Sequence, residues 1–288
     1  MSYTDSSNYF VDTHCHLNLV VNPQFNVPLD EQQIKAAQEI ITRAHQAHVQ
    51  YIINIGTGII DTKNCIALAQ RYPELFVVAG LHPNDLTDSW RQEFAQISTL
   101  AKNAQKLRIV GIGETGIDCY RSREKLSYQV DAFKAHIELA LEHNLAIVVH
   151  TRKAAQETLD ILELYKNNLQ KLVMHCYPYD LAIAKKIISW GGFLGIGGPV
   201  TYPGSTQLQE VVREIDLKHI VLETDAPYLP PQHMRGKQND PAQLRAIAQE
   251  VAHIKDSSLE EVARVTSTNA HIIFNIPDYI KHTLTQSP

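Results

Sequence analysis

Eight short apolar runs, spread from one end of the chain to the other and each followed by a stretch with helical spacing, constrain the fold more than any other feature. The runs are NYFVDTH, VQYIINIG, LFVVAGLH, LRIVGIGE, LAIVVHT, KLVMHCY, GGFLGIGG and HIVLETD. Their apolar residues are consecutive rather than alternating, which suits strands buried on both faces, as in a parallel sheet covered by helices. After Arg123, the residues Leu126, Val130, Phe133, Ile137 and Leu141 keep the three-or-four spacing of a helix face, and the next strand is predicted from about Leu145. Asp240 and Pro241 have the chemistry of an N-cap and a first helical residue, with Leu244, Ile247, Val251 and Ile254 as the buried stripe. Ser258 and Glu261 have capping-box spacing for a last helix running toward Phe274. No Pro-, Gly- or Ser-rich linker divides the 288 residues, so one domain is expected, with its core over residues 9–276. Eight strands alternating with helices in one domain predict an α/β fold, a closed (β/α)8 TIM barrel, with a doubly wound open sheet as runner-up.

A polar or metal-binding side chain stands near the C-terminal end of nearly every run. In order these are His14 and His16, Thr57, His82, Glu114, His150, His175 and Asp225; only the seventh run breaks the series. Taken alone, His14-Cys15-His16 is explained equally well by an ordinary strand end. In a strand His14 and His16 share a face, where two imidazoles can grip one ion. In a parallel barrel all the C-terminal strand ends open onto one face, so these distant residues are predicted to converge. The residue types suit two divalent ions. His14 and His16 supply nitrogen to the first, Glu114 bridges, His150 and His175 serve the second, and Asp225 completes the first and takes a proton from activated water. Imidazole and carboxylate without thiolate admit Mg, Mn or Zn, among others. Glu223, two residues before Asp225, is predicted to share its face as a partner to a histidine or as a catalytic group. His82, held extended by Pro83, is a candidate for substrate contact. Arg121, Arg123, Lys125, Arg152, Lys153, Arg235 and Lys237 fall in loops at the same face, and of these Arg121 and Arg152 are the candidates for a substrate phosphate. His45, His136, His219 and His271 lie in or beside helices and carry no ligand pattern.

The formal net charge of −5 argues against a surface that binds nucleic acid by bulk electrostatics, so any phosphate contact must be local. The polar start MSYTDSSN lacks the pattern of a secretory signal and no apolar run reaches the length of a membrane span. Cys15, Cys65, Cys119 and Cys176 form no CxxC pair and read as packing residues of a reducing compartment. A cytoplasmic protein is expected, with no membrane contact and no obligatory protein partner.

The stretches DTHCHL, GLHP, GIGETGID, VVHTRKA, MHCY and LETDAPYL followed by RGKQNDP occur in an order that resembles the TatD family of metal-dependent deoxyribonucleases, in the amidohydrolase superfamily, from about Phe10 to Phe274. The resemblance implies a (β/α)8 barrel, a divalent metal pair and hydrolysis of DNA phosphodiesters. It also implies the ligand set His14, His16, Glu114, His150, His175 and Asp225. The chain departs from the family pattern at Asn18, at Lys153, and at Tyr177-Pro178-Tyr179-Asp180, where the family has a Ser/Gly-rich turn, so the loop that meets substrate is altered. The same site chemistry serves an ester, amide or lactone, for example a D-aminoacyl ester on tRNA, because activated water attacks carbon and phosphorus alike. A barrel that has lost its chemistry and only binds is disfavoured, since every expected ligand is present.

Overall fold

The structure, a computed structural model, describes residues 9–276. Eight strands are found among them: β1 (Phe10–Cys15), β2 (Val49–Ile55), β3 (Leu75–Ala79), β4 (Ile109–Asp118), β5 (Ala146–Arg152), β6 (Leu172–Met174), β7 (Phe193–Ile196) and β8 (Ile220–Leu222). Each pairs in parallel with the next, in unbroken chain order, with helices between them. That order is the (β/α)8 barrel and excludes the doubly wound sheet, in which the strand order reverses. Among the described residues no helix is long and apolar enough to cross a membrane.

Consecutive apolar positions serve two cores. Val11, Ile53, Val78, Val148, Val173 and Val221 pack inside the barrel, where Ile273 and Phe274 close its lower end. Their neighbours Phe10, Ile52, Val77, Ile147 and Leu222 face outward against the helices. The helix Leu126–Glu142 forms where expected, but Leu141 is 38% exposed and Ala140 is buried in its place. From Ile137 a step of three or of four satisfies the period, and the smaller residue lies inward. β5 begins at Ala146, one residue after the predicted position. Asp240 caps a short 3-10 turn, Pro241–Gln243, that leads into the helix Leu244–Ile254, in which Leu244, Ile247 and Val251 are buried. Ser258 accepts from the Glu261 backbone N–H, but the Glu261 carboxylate engages Arg264 at 2.7 and 2.9 Å, so only half of the capping box forms.

The seam where β8 meets β1 depends on side chains. Asp225 N–H donates to the His14 carbonyl at 2.8 Å, His16 N–H to the Ala226 carbonyl at 2.7 Å, and Thr13 Oγ1 to the Leu222 carbonyl at 3.0 Å. Thr224 donates twice to the buried Asp12 carboxylate, from its N–H at 2.9 Å and from its hydroxyl at 2.5 Å. Burial pushes the Asp12 carboxyl up to about 8 against these bonds. Removing the carboxylate leaves the two Thr224 donors and the His14 N–H, which reaches Oδ1 at 3.3 Å, without their acceptor, and each buried donor costs about 1–3 kcal/mol, less where the surroundings relax. Asp12→Ala is therefore expected to lower unfolding free energy by about 2–4 kcal/mol, and Asp12→Asn, which keeps the shape and one acceptor, by less; equal denaturant midpoints for all three proteins would contradict this account of the seam.

Candidate metal centre

The mouth of the barrel gathers the predicted residues. Strict alternation puts His14 and His16 on one face but, counted from the inward-facing Val11, on the outer one; β1 ends at Cys15 and its register slips between Asp12 and Cys15. The irregularity turns both rings inward, with their Nε2 atoms 3.3 Å apart. β4 slips in the same way between Ile112 and Thr115, which brings Glu114 into the mouth. The slip needs glycine: Gly113 has φ +135° and a Cβ there would lie 2.4 Å from the Val148 carbonyl oxygen. Asp225 lies just past β8 with φ +56°, a left-handed conformation held by the seam on one side. On the other side Asn239 donates to the carbonyls of Thr224 and Tyr228 at 2.8 and 2.7 Å.

The two oxygens of Glu114 face different histidines. Its Oε2 is 3.4 Å from His14 Nε2 and 3.7 Å from His16 Nε2, and Asp225 Oδ1 is 3.7 and 3.4 Å from the same two nitrogens. Its Oε1 is 2.7 Å from His150 Nδ1, 3.6 Å from His82 Nε2 and 3.9 Å from His175 Nε2. Two donors about 2.1 Å from one ion with a tetrahedral angle between their bonds lie roughly 3.4 Å apart. The spacings around Glu114 Oε2 therefore fit a single divalent ion. Three sets of donors within ligand reach occur among the described residues: His14, His16 and Glu114; His82, Glu114 and His150; and His14, His175 and Glu223.

The outer ring nitrogens are held. His16 Nδ1–H donates to the Ile55 carbonyl at 3.2 Å, which leaves Nε2 a bare lone pair toward the mouth. His150 Nε2 is 3.2 Å from Asp118 Oδ2, and His175 Nδ1 is 2.9 Å from Glu223 Oε1. His14 is steadied by stacking on His175, with ring centroids 3.5 Å apart. Such outer partners orient a ligand and raise its basicity. Burial opposes a charge on His150 and His175. Hydrogen bonds to Asp118 and Glu114 outweigh it for His150, and the charge of Glu223 does so for His175, so the two rise to about 9 and about 10. The surrounding histidines hold Glu114 well below the usual carboxylate range despite its burial. The mouth is thus a buried nest of ionised carboxylates balanced by histidines that favour the charged form, a balance that divalent ions can take over when they displace the histidine protons.

Glu223 is fully buried and points, like Asp225, into the barrel, where it stands behind His175 as the expected partner to a histidine. Room for it comes from the strand that breaks the polar series, since a Cβ at Gly195 would fall 2.3 Å from Glu223 Oε2. His82 Nδ1 accepts the Asn84 N–H at 3.2 Å, so the neutral ring carries its proton on Nε2, facing Glu114. Burial lowers His82 to about 4 and keeps it neutral. Thr57 is turned toward Asp61, to which its hydroxyl donates at 2.8 Å. Arg121 and Arg152 line the mouth. Arg123 is paired with Glu157, and Lys125 donates to the Leu86 carbonyl at 2.6 Å, so neither is free for a ligand. Sequence reasoning missed Asp12, Asn239 and His136; the last, set aside as unremarkable, accepts the N–H of Leu81 at 3.1 Å and so supports the residue before His82.

Residues 11–275 match the family model described as TatD related DNase. The chain belongs to the TatD-related family. Within that family it is 31% identical over 265 residues to the uncharacterized metal-dependent hydrolase YabD of Bacillus subtilis, covering 92% of this chain and 98% of the relative. It is 32% identical over 251 residues to the 3'-5' ssDNA/RNA exonuclease TatD of Erwinia tasmaniensis, covering 85% and 96%. The crystal structure of YjjV, a TatD homologue from Escherichia coli, superimposes with a TM-score of 0.82 at 25% identity, covering 93% of this chain and 98% of that one. If the outer partners of this TatD-related site matter as argued, Glu223→Ala and Gly195→Ala are each expected to weaken Mn binding by about 10–100-fold in titration calorimetry. Affinity equal to that of the unaltered protein in both would remove Glu223 from the site's support.

Proposed function

We propose that the barrel over residues 9–276 is a divalent-metal-dependent hydrolase that cleaves phosphodiester bonds of DNA. The observation that carries this reading is the Glu114 carboxylate, whose two oxygens face separate sets of histidines at 2.7 to 3.9 Å. His14, His16, Asp225 and Glu114 Oε2 would hold one ion, and Glu114 Oε1, His150 and His175 the second, as Mg, Mn or Zn. When bound, such a pair activates water at neutral pH and neutralises charge on the attacking and leaving oxygens.

The chain's own groups do the rest. The Asp225 carboxylate, whose Oδ1 lies beside the Nε2 atoms of His14 and His16, accepts the proton of the attacking water on its other oxygen as a new P–O bond forms. It returns that proton to the leaving oxygen as the old P–O bond breaks. The neutral His82 donates its Nε2–H to a phosphate oxygen of the substrate. Arg152 lies flat on the Tyr120 ring, 3.6 Å from its centroid, and with Arg121 it offers guanidinium donors to the same phosphate. Neither arginine makes an ion pair among the described residues, so their charge is available locally in a protein of net charge −5. The relative named as an ssDNA/RNA exonuclease supports a nucleic-acid substrate. Four free cysteines, two of them only half-buried, support the cytoplasm as the compartment.

Two measurements test the reading. Single-stranded DNA, duplex DNA, RNA, an aminoacyl-tRNA analogue and a lactone are assayed with Mg and with Mn, before and after chelation; DNA hydrolysis that chelation abolishes is expected, and turnover of the carbonyl substrates alone would reverse the assignment. Asp225→Ala is expected to lower kcat by about 10²–10⁴-fold with an unchanged circular dichroism spectrum, and retention of full activity would dismiss Asp225 as the base.

A further inference from the structure

The mouth of the barrel has two lobes that meet over His150, Arg152, His175 and Asp225. One, about 550 Å³, carries charged and strongly polar groups, including Asp85, Glu114 and Arg121, together with Leu19, Phe25 and Tyr228. The other, about 620 Å³, carries no charged residue beyond the shared ones. A reacting group over the shared residues therefore extends into two different environments, one suited to a solvated, charged chain and one to a flat uncharged group.

One wall of the second lobe is the turn Tyr177–Pro178–Tyr179 that follows β6. Tyr177 and Tyr179 pack edge to face, with ring centroids 6.1 Å apart. Their hydroxyls are tied down, Tyr177 donating to the Asp180 carbonyl at 2.7 Å and Tyr179 sharing a hydrogen bond with Thr151 Oγ1 at 2.6 Å. The buried Tyr177 thereby holds the Tyr179 ring in place, and Tyr179 and Pro178 form one wall, with Pro199 and Leu208 adding apolar surface beside the helix Thr206–Glu214. Next to Leu208, the lining carries two neutral polar side chains. Ser205 is the N-cap of the helix Thr206–Glu214, yet its hydroxyl makes no capping bond, and the exposed Gln207 makes no side-chain hydrogen bond among the described residues. A cavity that joins rigid apolar faces with a donor-and-acceptor group is what a nucleobase needs: stacking contributes about 1–3 kcal/mol per base, and hydrogen bonds fix its edge.

We propose that this second lobe is a nucleobase subsite, taking the base next to the scissile phosphate between the Tyr177–Tyr179 turn and the start of the helix Thr206–Glu214. This rests on the phosphodiester reading of the metal centre. Gln207 offers both a donor and an acceptor, so the lobe distinguishes base from no base rather than one base from another.

The test separates the two claims. In chelator, where no turnover occurs, binding of a deoxydinucleotide carrying 2-aminopurine is compared with that of the same molecule lacking the base, using fluorescence and calorimetry, and repeated with the ribodinucleotide. At least tenfold tighter binding of the base-bearing molecule is expected in either sugar series, falling to under threefold in Gln207→Ala and in Leu208→Ala. Equal affinity with and without the base, or a preference that neither substitution changes, would overturn the subsite. In parallel, bis(p-nitrophenyl) phosphate, which has no base, is assayed with Mn. Failure to hydrolyse it would overturn the phosphodiesterase reading, while a base preference surviving that failure would keep the subsite and move it to another chemistry.

Discussion

A carboxylate buried at the floor of a barrel mouth needs positive charge within reach of both its oxygens, and the surroundings of Glu114 follow from that need. One oxygen looks toward His14 and His16, the other toward His82, His150 and His175. Burial raises the cost of the charge, and the ring of imidazoles returns it. The backbone makes the position possible. Glycine at 113 lets β4 slip its register, and glycine at 80 is required beside it, because a Cβ there would lie 2.3 Å from the Gly113 carbonyl oxygen. Two side-chain-free positions, one in β4 and one just past the end of β3, thus set where one charge sits.

Around this centre the chain builds a second layer whose members come from other strands. Asp118 of β4 stands behind His150 and also accepts from Asn84 at 2.8 Å, which joins the His82 loop to the fifth strand. Glu223 stands behind His175 and accepts the Cys176 N–H at 2.6 Å. Gly195 is bare so that Glu223 fits. The interruption in the polar series at the seventh strand is therefore part of the same arrangement: its contribution is space.

The pattern of the chain made the barrel legible because parallel strands buried on both faces are continuously apolar, and because a polar residue ending such a run has few places to go except the open end. The inward gathering of His14, His16, Glu114, His150, His175 and Asp225 was legible on the same ground. What escaped is what depends on pairs from different strands. Nothing in the neighbours of Glu223 announces His175 as its partner, and nothing near Gly195 announces Glu223. Asp12 looks like an incidental acid in an apolar run until Thr224 appears opposite it. Arg123 and Lys125 have the same sequence appearance as Arg121 and Arg152, and only their capture by Glu157 and the Leu86 carbonyl separates the two pairs. The register slips in β1 and β4 were hidden for another reason: a two-residue period read from sequence assumes an unbroken ladder.

The closure at Asp12 and Thr224 joins positions 212 apart in the chain. Contacts of such long range form late, since a large loop must be closed before they reward it. A nascent polypeptide that has emerged from the ribosome only as far as the sixth strand already carries His14, His16, Glu114, His150 and His175, but neither Asp225 nor the clasp that would orient it. On the proposed assignment, hydrolytic competence then arrives only with completed synthesis, and premature termination yields an inert fragment instead of an unregulated nuclease.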